Sequence, residues 1–288
     1  MTYAYDIMNV KKFHEKGIKG KGVKVAVMDT GVQKHTDLNI SGGYNAHDFN
    51  KPYDGDIVHG HGTRVAGVIA GQEKGISPEV ELYAIRIDDG SGSNGGLRFK
   101  EQIKGIDWAI DNNIDVLVCS FSSVTDNAER KLAFNKAYNK GIAIFCSANN
   151  RQGSYGTGLS RIFYPAKYPY VITSANIKED KKRYKSSSVG RYLDFSSGGV
   201  SINTTTIDTD KEVSNKYSNG TGTSYSNPAV AGMYCLYKEM FPDDNREKLL
   251  ERMYVNAEKL GDPFLYGAGL PQYPDILHEN IKMKRGNW

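Results

Sequence analysis

One stretch of the chain decides the fold: Val25-Ala26-Val27-Met28-Asp29-Thr30-Gly31. An unbroken apolar run of this length is typical of a strand that is buried on both faces of a parallel sheet, and the Thr-Gly that follows Asp29 ends it. Active sites of open α/β sheets lie beyond the carboxyl ends of the strands. Asp29 therefore stands where a functional carboxylate would be expected.

Similar strand-sized apolar runs recur along the sequence, and helical patterns separate them. The predicted strands are 23–28, 82–87, 116–121, 142–147 and 171–175. Apolar residues spaced three and four apart predict helices over 99–112 and 130–140. Strands alternating with helices predict an α/β fold with a mostly parallel central sheet and helices on both faces. Because neither a repeat nor a long linker divides the chain, we expect a single domain over residues 1–288.

Composition excludes several classes of protein. With 39% hydrophobic and 24% charged residues, the chain is globular and not disordered. Its 37 Lys and Arg residues against 33 Asp and Glu residues give a net charge of +4, too small and too evenly spread for a nucleic-acid partner. No apolar run approaches the ~18 residues that span a bilayer, so we expect no membrane segment. The three cysteines have apolar neighbours and are interpreted as buried hydrophobic residues.

Residues 1–10 do not resemble a secretory signal, since they contain Tyr and Asp where a basic patch and a longer apolar segment would be needed. We therefore expect a cytoplasmic protein. The alternative is a secreted mature protein whose leader and propeptide have been removed.

Three segments contain the side chains of greatest chemical interest. They are the strand end at Asp29, the segment Gly60-His61-Gly62-Thr63-Arg64-Val65-Ala66-Gly67, and the segment Gly220-Thr221-Gly222-Thr223-Ser224-Tyr225-Ser226-Asn227-Pro228-Ala229. Each alone could be a turn or a helix start. Their presence together, in the order Asp, His, Ser, indicates function.

In this order the segments resemble the motifs of the subtilisin-like serine proteases, the subtilases. The resemblance runs from about residue 22 to about residue 277 and includes Tyr164-Pro165-Ala166 and Tyr266-Gly267-Ala268-Gly269. It implies a subtilisin-like fold. It also implies a serine endopeptidase that hydrolyses peptide bonds through an acyl-enzyme.

The resemblance gives each reactive residue a role. Ser224 would be the nucleophile, and a serine hydroxyl needs a neighbouring base to accept its proton. His61 would be that base and later the acid, Asp29 would orient its imidazole, and Asn150 matches the side-chain donor to the oxyanion. The chemistry implies no cofactor and no catalytic metal.

Other interpretations of the motifs are weaker. An α/β-hydrolase would show Gly-x-Ser-x-Gly and the order Ser, Asp, His. An aspartic protease would need a second Asp-Thr/Ser-Gly, which this chain does not contain. A catalytically silent subtilase fold that only binds peptides stays an alternative, although no member of the triad is missing.

Substrate is expected to lie as an extended strand held by backbone hydrogen bonds. By resemblance its two edges are Ser91-Gly92-Ser93 and Ser120-Phe121-Ser122. Subtilases often have glycine where Ser122, Ser123 and Phe163 stand, so we expect a narrower pocket for the residue before the cut. Arg151, at the mouth of that pocket, is expected to favour polar or acidic side chains there.

A calcium site common in bacterial subtilisins is expected to be absent. Asp37 matches its aspartate, but the loop over 72–78 is too short to supply the ~6–8 oxygen ligands that calcium prefers. A weaker calcium site elsewhere stays open.

The short N-terminal region and the altered pocket together resemble one subgroup, the cytoplasmic leader peptidases that trim lantibiotic (lanthipeptide) precursors. We therefore expect a specific, monomeric processing protease that acts on a peptide or protein substrate. A general degradative subtilisin is the alternative.

Overall fold

A parallel sheet of seven strands forms the centre of the computed structural model, which describes residues 2–54, 59–88, 99–150 and 161–275. Its strands occur in the order β2-β3-β1-β4-β5-β6-β7, and each neighbouring pair is parallel. Strands β8 and β9 form a separate antiparallel ribbon. The strand bounds are β1 (Lys24–Asp29), β2 (Ile40–Asn45), β3 (Glu81–Arg86), β4 (Val116–Cys119), β5 (Ala143–Ser147), β6 (Ile172–Ile177), β7 (Phe195–Gly198), β8 (Ile202–Thr206) and β9 (Lys216–Gly220).

Helices connect the strands and cover both faces of the sheet. They are α1 (Tyr3–Ile7), α2 (Val10–His14), α3 (His61–Ala70), α4 (Phe99–Asp111), α5 (Ala128–Asn139), α6 (Thr223–Met240), α7 (Arg246–Asn256) and α8 (Pro263–Tyr266). Within the described ranges, none of these helices combines the length and apolar character needed to cross a membrane.

The α/β architecture expected from the sequence is confirmed. The predicted strands are present as β1, β3, β4, β5 and β6, and the predicted helices as α4 and α5, with ends that shift by at most two residues. Strands β2 and β7 and the ribbon were not expected. Their sequences are rich in Gly, Ser, Thr and Asn, so they lack the apolar runs by which buried strands are recognised.

Two hydrophobic cores lie on opposite faces of the sheet, because side chains alternate along each strand. On β1, Val25 and Val27 belong to the core beneath α3 and α6. Ala26 and Met28 belong to the core beneath α4 and α5. Because helices cover both faces of the sheet, the side chains on both faces of each strand are buried, and the strand is a continuous apolar run in the sequence.

All three cysteines lie inside these cores as free thiols. Cys119 on β4 and Cys146 on β5 are register partners in the sheet, and Cys235 lies on α6. Burial raises the pKa of the Cys119 thiol well above its usual value. The interpretation of the cysteines as small buried residues is therefore confirmed.

Helix α3 is held against the ribbon by hydrogen bonds from threonine side chains. Thr205 Oγ1 donates to the Thr63 carbonyl over 2.7 Å, and Thr204 Oγ1 donates to the Arg64 carbonyl over 3.0 Å. A Cβ atom added to Gly67 would lie only 2.1 Å from Thr205 Oγ1 and 2.9 Å from its backbone nitrogen. Glycine at position 67 thus permits the close approach of helix and ribbon.

Gly67→Ala is expected to lower the free energy of unfolding by about 1–3 kcal/mol, since the added methyl group must push the ribbon away from α3. Thermal unfolding followed by circular dichroism would show this as a midpoint several degrees lower. Gly42→Ala on β2 is the matched control, because its Cβ would make an ordinary 3.5 Å contact with the Tyr83 ring. Equal midpoints for the two variants would contradict the account of α3 packing.

Candidate active site

The carboxyl ends of three neighbouring strands meet at one edge of the sheet. Asp29 is the last residue of β1, Ser120 follows β4, and Asn150 lies three residues beyond Ser147, where β5 ends. Strand β4 pairs in parallel with both β1 and β5, which brings these positions together. The sheet therefore collects residues that are far apart in sequence.

A buried carboxylate and an imidazole are in direct contact at this edge. His61 Nδ1 lies 2.8 Å from Asp29 Oδ1, and the same oxygen accepts a hydrogen bond of 2.8 Å from the Thr30 N–H. The Asp29 side chain is 4% exposed and that of His61 is 29% exposed. With the proton assigned to Nδ1, the carboxylate fixes the ring, and Nε2 is the ring nitrogen that can accept a proton.

The start of α3 fixes the position of His61. This residue begins the helix, and the next N–H, that of Gly62, donates to Thr30 Oγ1 over 2.9 Å. A Cβ on Gly62 would lie 2.1 Å from the Gly31 carbonyl oxygen, so the helix end sits directly on the turn that follows β1. The turn Asp29-Thr30-Gly31 and the start of α3 at His61-Gly62 are thus in direct contact.

The start of α6 places Ser224 above the ends of β4 and β5. The Ser224 hydroxyl donates to the Ser120 carbonyl over 3.2 Å, and Ser147 Oγ donates to the Thr223 carbonyl over 3.1 Å. Ser224 lies in the first helical turn, where N–H groups have no partner within the helix. Its N–H is therefore suited to binding an anion.

Asn150 is oriented by the same helix end. Its Oδ1 accepts a hydrogen bond of 2.7 Å from the Thr223 N–H, so the rest of the carboxamide, Nδ2, remains to donate elsewhere. A Cβ on Gly222 would lie 3.0 Å from Asn150 Nδ2. The Asn150 side chain and the Ser224 backbone thus provide two N–H donors at the start of α6.

These residues surround one cavity of about 380 Å³. Its walls are Asp29, Thr30, His59, His61, Arg64, Asp88, Ser120, Phe121, Ser122, Ser147, Asn149, Asn150, Thr223 and Ser224. The four residues given catalytic roles from the sequence are therefore brought together, along with the expected substrate segment 120–122.

The remaining substrate-binding residues expected from the sequence are not in this set. Ser91, Gly92, Ser93 and Arg151 lie outside the described residues. Phe163 is half-buried beside Tyr164, whose backbone pairs with Ser123. It is not among the described residues that line the cavity, and its effect on the substrate pocket stays a prediction.

Sequence reasoning missed several residues of the cavity wall. Arg64 follows His61 by three residues, and that spacing on a helix places both on one side, so this signal was available. Asp88, Thr30 and Asn149 carried no comparable signal. Asn149 lines the cavity only because its backbone turns to a φ of 98° after β5, which no periodicity reveals.

Comparisons with known proteins identify the family of this chain. The model of the subtilase family matches residues 20–269. The chain is 35% identical over 275 residues to the thermostable alkaline protease of Halalkalibacterium halodurans, covering 94% of this chain and 72% of that protein. It is 36% identical over 276 residues to subtilisin DY of Bacillus licheniformis, covering 94% and 96%.

Solved structures show the same fold. A cold adapted subtilisin-like serine proteinase superposes with a TM-score of 0.78 at 25% identity, covering 90% of this chain and 91% of that one. MycP1 with its N-terminal propeptide removed superposes with a TM-score of 0.78 at 23% identity, covering 94% and 95%. From the family match, its close relatives and this fold, the chain belongs to the subtilase family and is a serine endopeptidase that acts on peptide substrates.

Proposed function

We propose that this subtilase is a specific processing protease in which Ser224 is the nucleophile, His61 the general base and acid, Asp29 the residue that orients His61, and Asn150 an oxyanion donor. One observation carries the catalytic assignment. The 2.8 Å contact between His61 Nδ1 and Asp29 Oδ1 lies in the cavity that Ser224 and Asn150 also line.

The reaction follows from these positions. Ser224 Oγ attacks the carbonyl carbon of the scissile bond while its proton passes to His61 Nε2. The carbon–nitrogen bond breaks as His61 gives that proton to the leaving amine, which leaves an ester on Ser224. Water then attacks the ester, His61 takes a proton from it, and this proton returns to Ser224 Oγ as the acid product leaves. Asp29 stabilises the imidazolium each time it forms.

Substrate binding must turn the Ser224 hydroxyl. In the substrate-free protein it donates to the Ser120 carbonyl, and attack requires donation to His61 Nε2 instead. Catalytic hydrogen bonds commonly tighten only when substrate is bound. A substrate strand along 120–122 would meet the serine at this carbonyl, with segment 91–93 as the expected second edge.

The oxygen of the tetrahedral intermediate would be stabilised by the Asn150 Nδ2 and Ser224 N–H donors. Such donors act mainly on the charge that develops in the transition state. Because the Thr223 N–H holds Asn150 Oδ1, the carboxamide is oriented before substrate arrives, and little reorganisation is needed during the reaction.

A processing role accounts for the polar wall of the cavity. The part of the wall formed by the ends of β4 and β5 contains one apolar residue, Phe121, and four polar ones, which suit a defined polar side chain better than a range of apolar ones: Ser120, Ser122, Ser147 and Asn149. The net charge of +4 suits an acidic peptide. The leader of a lantibiotic or a similar bacteriocin precursor is the substrate class that we propose, with the enzyme acting as a monomer. The cytoplasmic location stays a prediction.

Calcium is not needed for subtilase catalysis, and the surroundings of Asp37 do not fit a tight calcium site. Asp37 Oδ1 already accepts a 2.8 Å hydrogen bond from the Glu73 N–H. Lys74 brings its ammonium group to 4.3 Å from the Tyr217 ring centroid, and burial followed by the charge of Asp37 raises the pKa of Tyr217 to about 12. Across the described ranges, no three His, Cys, Asp or Glu residues are grouped to hold a metal.

Cleavage profiling tests the proposed function. Mass spectrometry of a diverse peptide library is expected to show one or a few defined cuts that disappear in Ser224→Ala. Many scattered cuts that also disappear in the variant would favour the general degradative alternative. Cuts that survive in Ser224→Ala would overturn the catalytic assignment. Silence of the wild-type protein together with failure to react with a fluorophosphonate would favour the peptide-binding alternative.

Asn150→Ala is expected to lower kcat by roughly 10²–10³ with little change in KM, because the lost hydrogen bond forms in the transition state. This magnitude is taken from the corresponding change in a subtilisin, a member of the same family. Steady-state kinetics on one peptide would measure it. If KM rises instead and kcat stays the same, Asn150 binds substrate rather than the oxyanion.

Removing calcium is expected to leave stability nearly unchanged, since the short loop is held by the hydrogen bond from the Glu73 N–H to Asp37 and by the contact of Lys74 with the Tyr217 ring. Thermal unfolding in excess EGTA should give a midpoint within about 2 °C of that in millimolar calcium, which is under about 1 kcal/mol for a chain of this size. A fall of ten degrees or more would show that a calcium site contributes to folding.

A further inference from the structure

Asn149 has a strained backbone at the cavity wall. Its φ of 98° lies in the region that favours glycine, and it is two residues beyond the end of β5. An L-residue in this region is held there by its surroundings at a cost in free energy. Such residues concentrate at ligand-binding sites, so the outlier invites a functional explanation.

Every polar group of Asn149 except its side-chain Nδ2 forms a hydrogen bond. Its N–H donates to Thr223 Oγ1 over 3.2 Å, its carbonyl accepts from the Ser188 N–H over 3.0 Å, and its Oδ1 accepts from Ser122 Oγ over 3.3 Å. Its Nδ2 is buried and has no hydrogen-bond partner within the described part of the chain. A buried donor without an acceptor is costly, and native proteins retain few of them.

The direction of the reaction locates this donor relative to substrate. His61 must reach the leaving amine, so the residues after the scissile bond lie on the His61 side of Ser224. The residue before the bond then lies on the opposite side, where the ends of β4 and β5 contribute Ser122 and Asn149 to the wall. Its side chain is the part of the substrate that comes nearest to Asn149.

We propose that Asn149, supported by Ser122, selects substrates in which the residue before the cut presents a side-chain oxygen acceptor: a carboxamide, as in Gln and Asn, or a carboxylate, as in Glu and Asp. Because Nδ2 is enclosed in the substrate-free protein, the Asn149 carboxamide turns toward the cavity when substrate binds. Nδ2 then donates to that oxygen, whereas an apolar side chain leaves it unmatched. A site built around a buried donor discriminates strongly against substrates that lack the acceptor. The inference rests on the proposed assignment of Ser224 as nucleophile.

The test compares two peptides that differ only in Gln or Met before the cut, two unbranched residues of similar length. The wild-type enzyme is expected to favour Gln in kcat/KM by at least about tenfold, which one buried hydrogen bond can supply. Asn149→Gly removes the donor and relaxes the backbone, and is expected to bring the ratio close to one. Asn113→Gly is the matched control, since Asn113 is exposed, follows α4 and has a φ of 53°. It should leave the ratio unchanged.

A third peptide with Glu separates the two acceptor chemistries. Asn149→Asp keeps the size of the side chain but places a carboxylate where the amide was, so it should lose Glu cleavage more completely than Gln cleavage. If the wild-type enzyme cleaves Gln and not Glu, the acceptor is the carboxamide. If it cleaves both, either oxygen serves. If Met is cleaved as well as Gln and Glu, the inference is wrong.

Two further measurements separate a structural role and an inactive enzyme from a loss of selectivity. Labelling of Ser224 by a fluorophosphonate requires no substrate side chain. Intact labelling with an unchanged Gln-to-Met ratio in Asn149→Gly overturns the role of Asn149 alone, whereas absent labelling in the wild-type protein overturns the assignment of Ser224. Thermal unfolding of Asn149→Gly should be at or above the wild-type midpoint, because strain is released. A lower midpoint with an unchanged ratio would mean that Asn149 is purely structural.

Discussion

A carboxylate can be buried in a protein only where hydrogen-bond donors replace the water it loses, and Asp29 imposes this requirement on its surroundings. Its donors come from the Thr30 backbone and from His61, so the turn after β1 and the first residue of α3 must meet at the carboxylate. Once α3 is placed, the ribbon and α6 pack against it. The arrangement of the site thus depends on the need to supply hydrogen-bond donors to the buried Asp29 carboxylate as much as on catalysis.

The packing of helix α6 fixes the position of Ser224. Almost every residue from Thr223 to Tyr237 is buried, so the helix contacts the sheet and its neighbours on all sides. A helix of this kind cannot slide without breaking contacts along its whole length. Ser224 and the donors beside it are therefore held by an extended packed surface, and substrate needs to move little beyond a hydroxyl and a few side chains.

Much of this could be predicted from the sequence, for identifiable reasons. Strands buried on both faces leave unmistakable apolar runs, and Asp29, His61 and Ser224 stand in short motifs whose spacing signals their roles. Strands β2 and β7 and the ribbon were missed because pairing with neighbours, not apolar content, makes them strands. Asn149 and Asp88 were missed as wall residues because a single backbone turn or a sheet edge brings them to the cavity. Proximity of this kind produces no periodic pattern in the sequence.

The burial of the Cys119, Cys146 and Cys235 thiols has a practical consequence for measuring how this protein unfolds. None of the three can be alkylated while the cores stay closed, because each is fully buried. The rate of alkylation in an inactivated enzyme therefore reports how often the sheet opens. Proteolysis of the opened state depends on the same opening, so alkylation would also rank variants by their resistance to it.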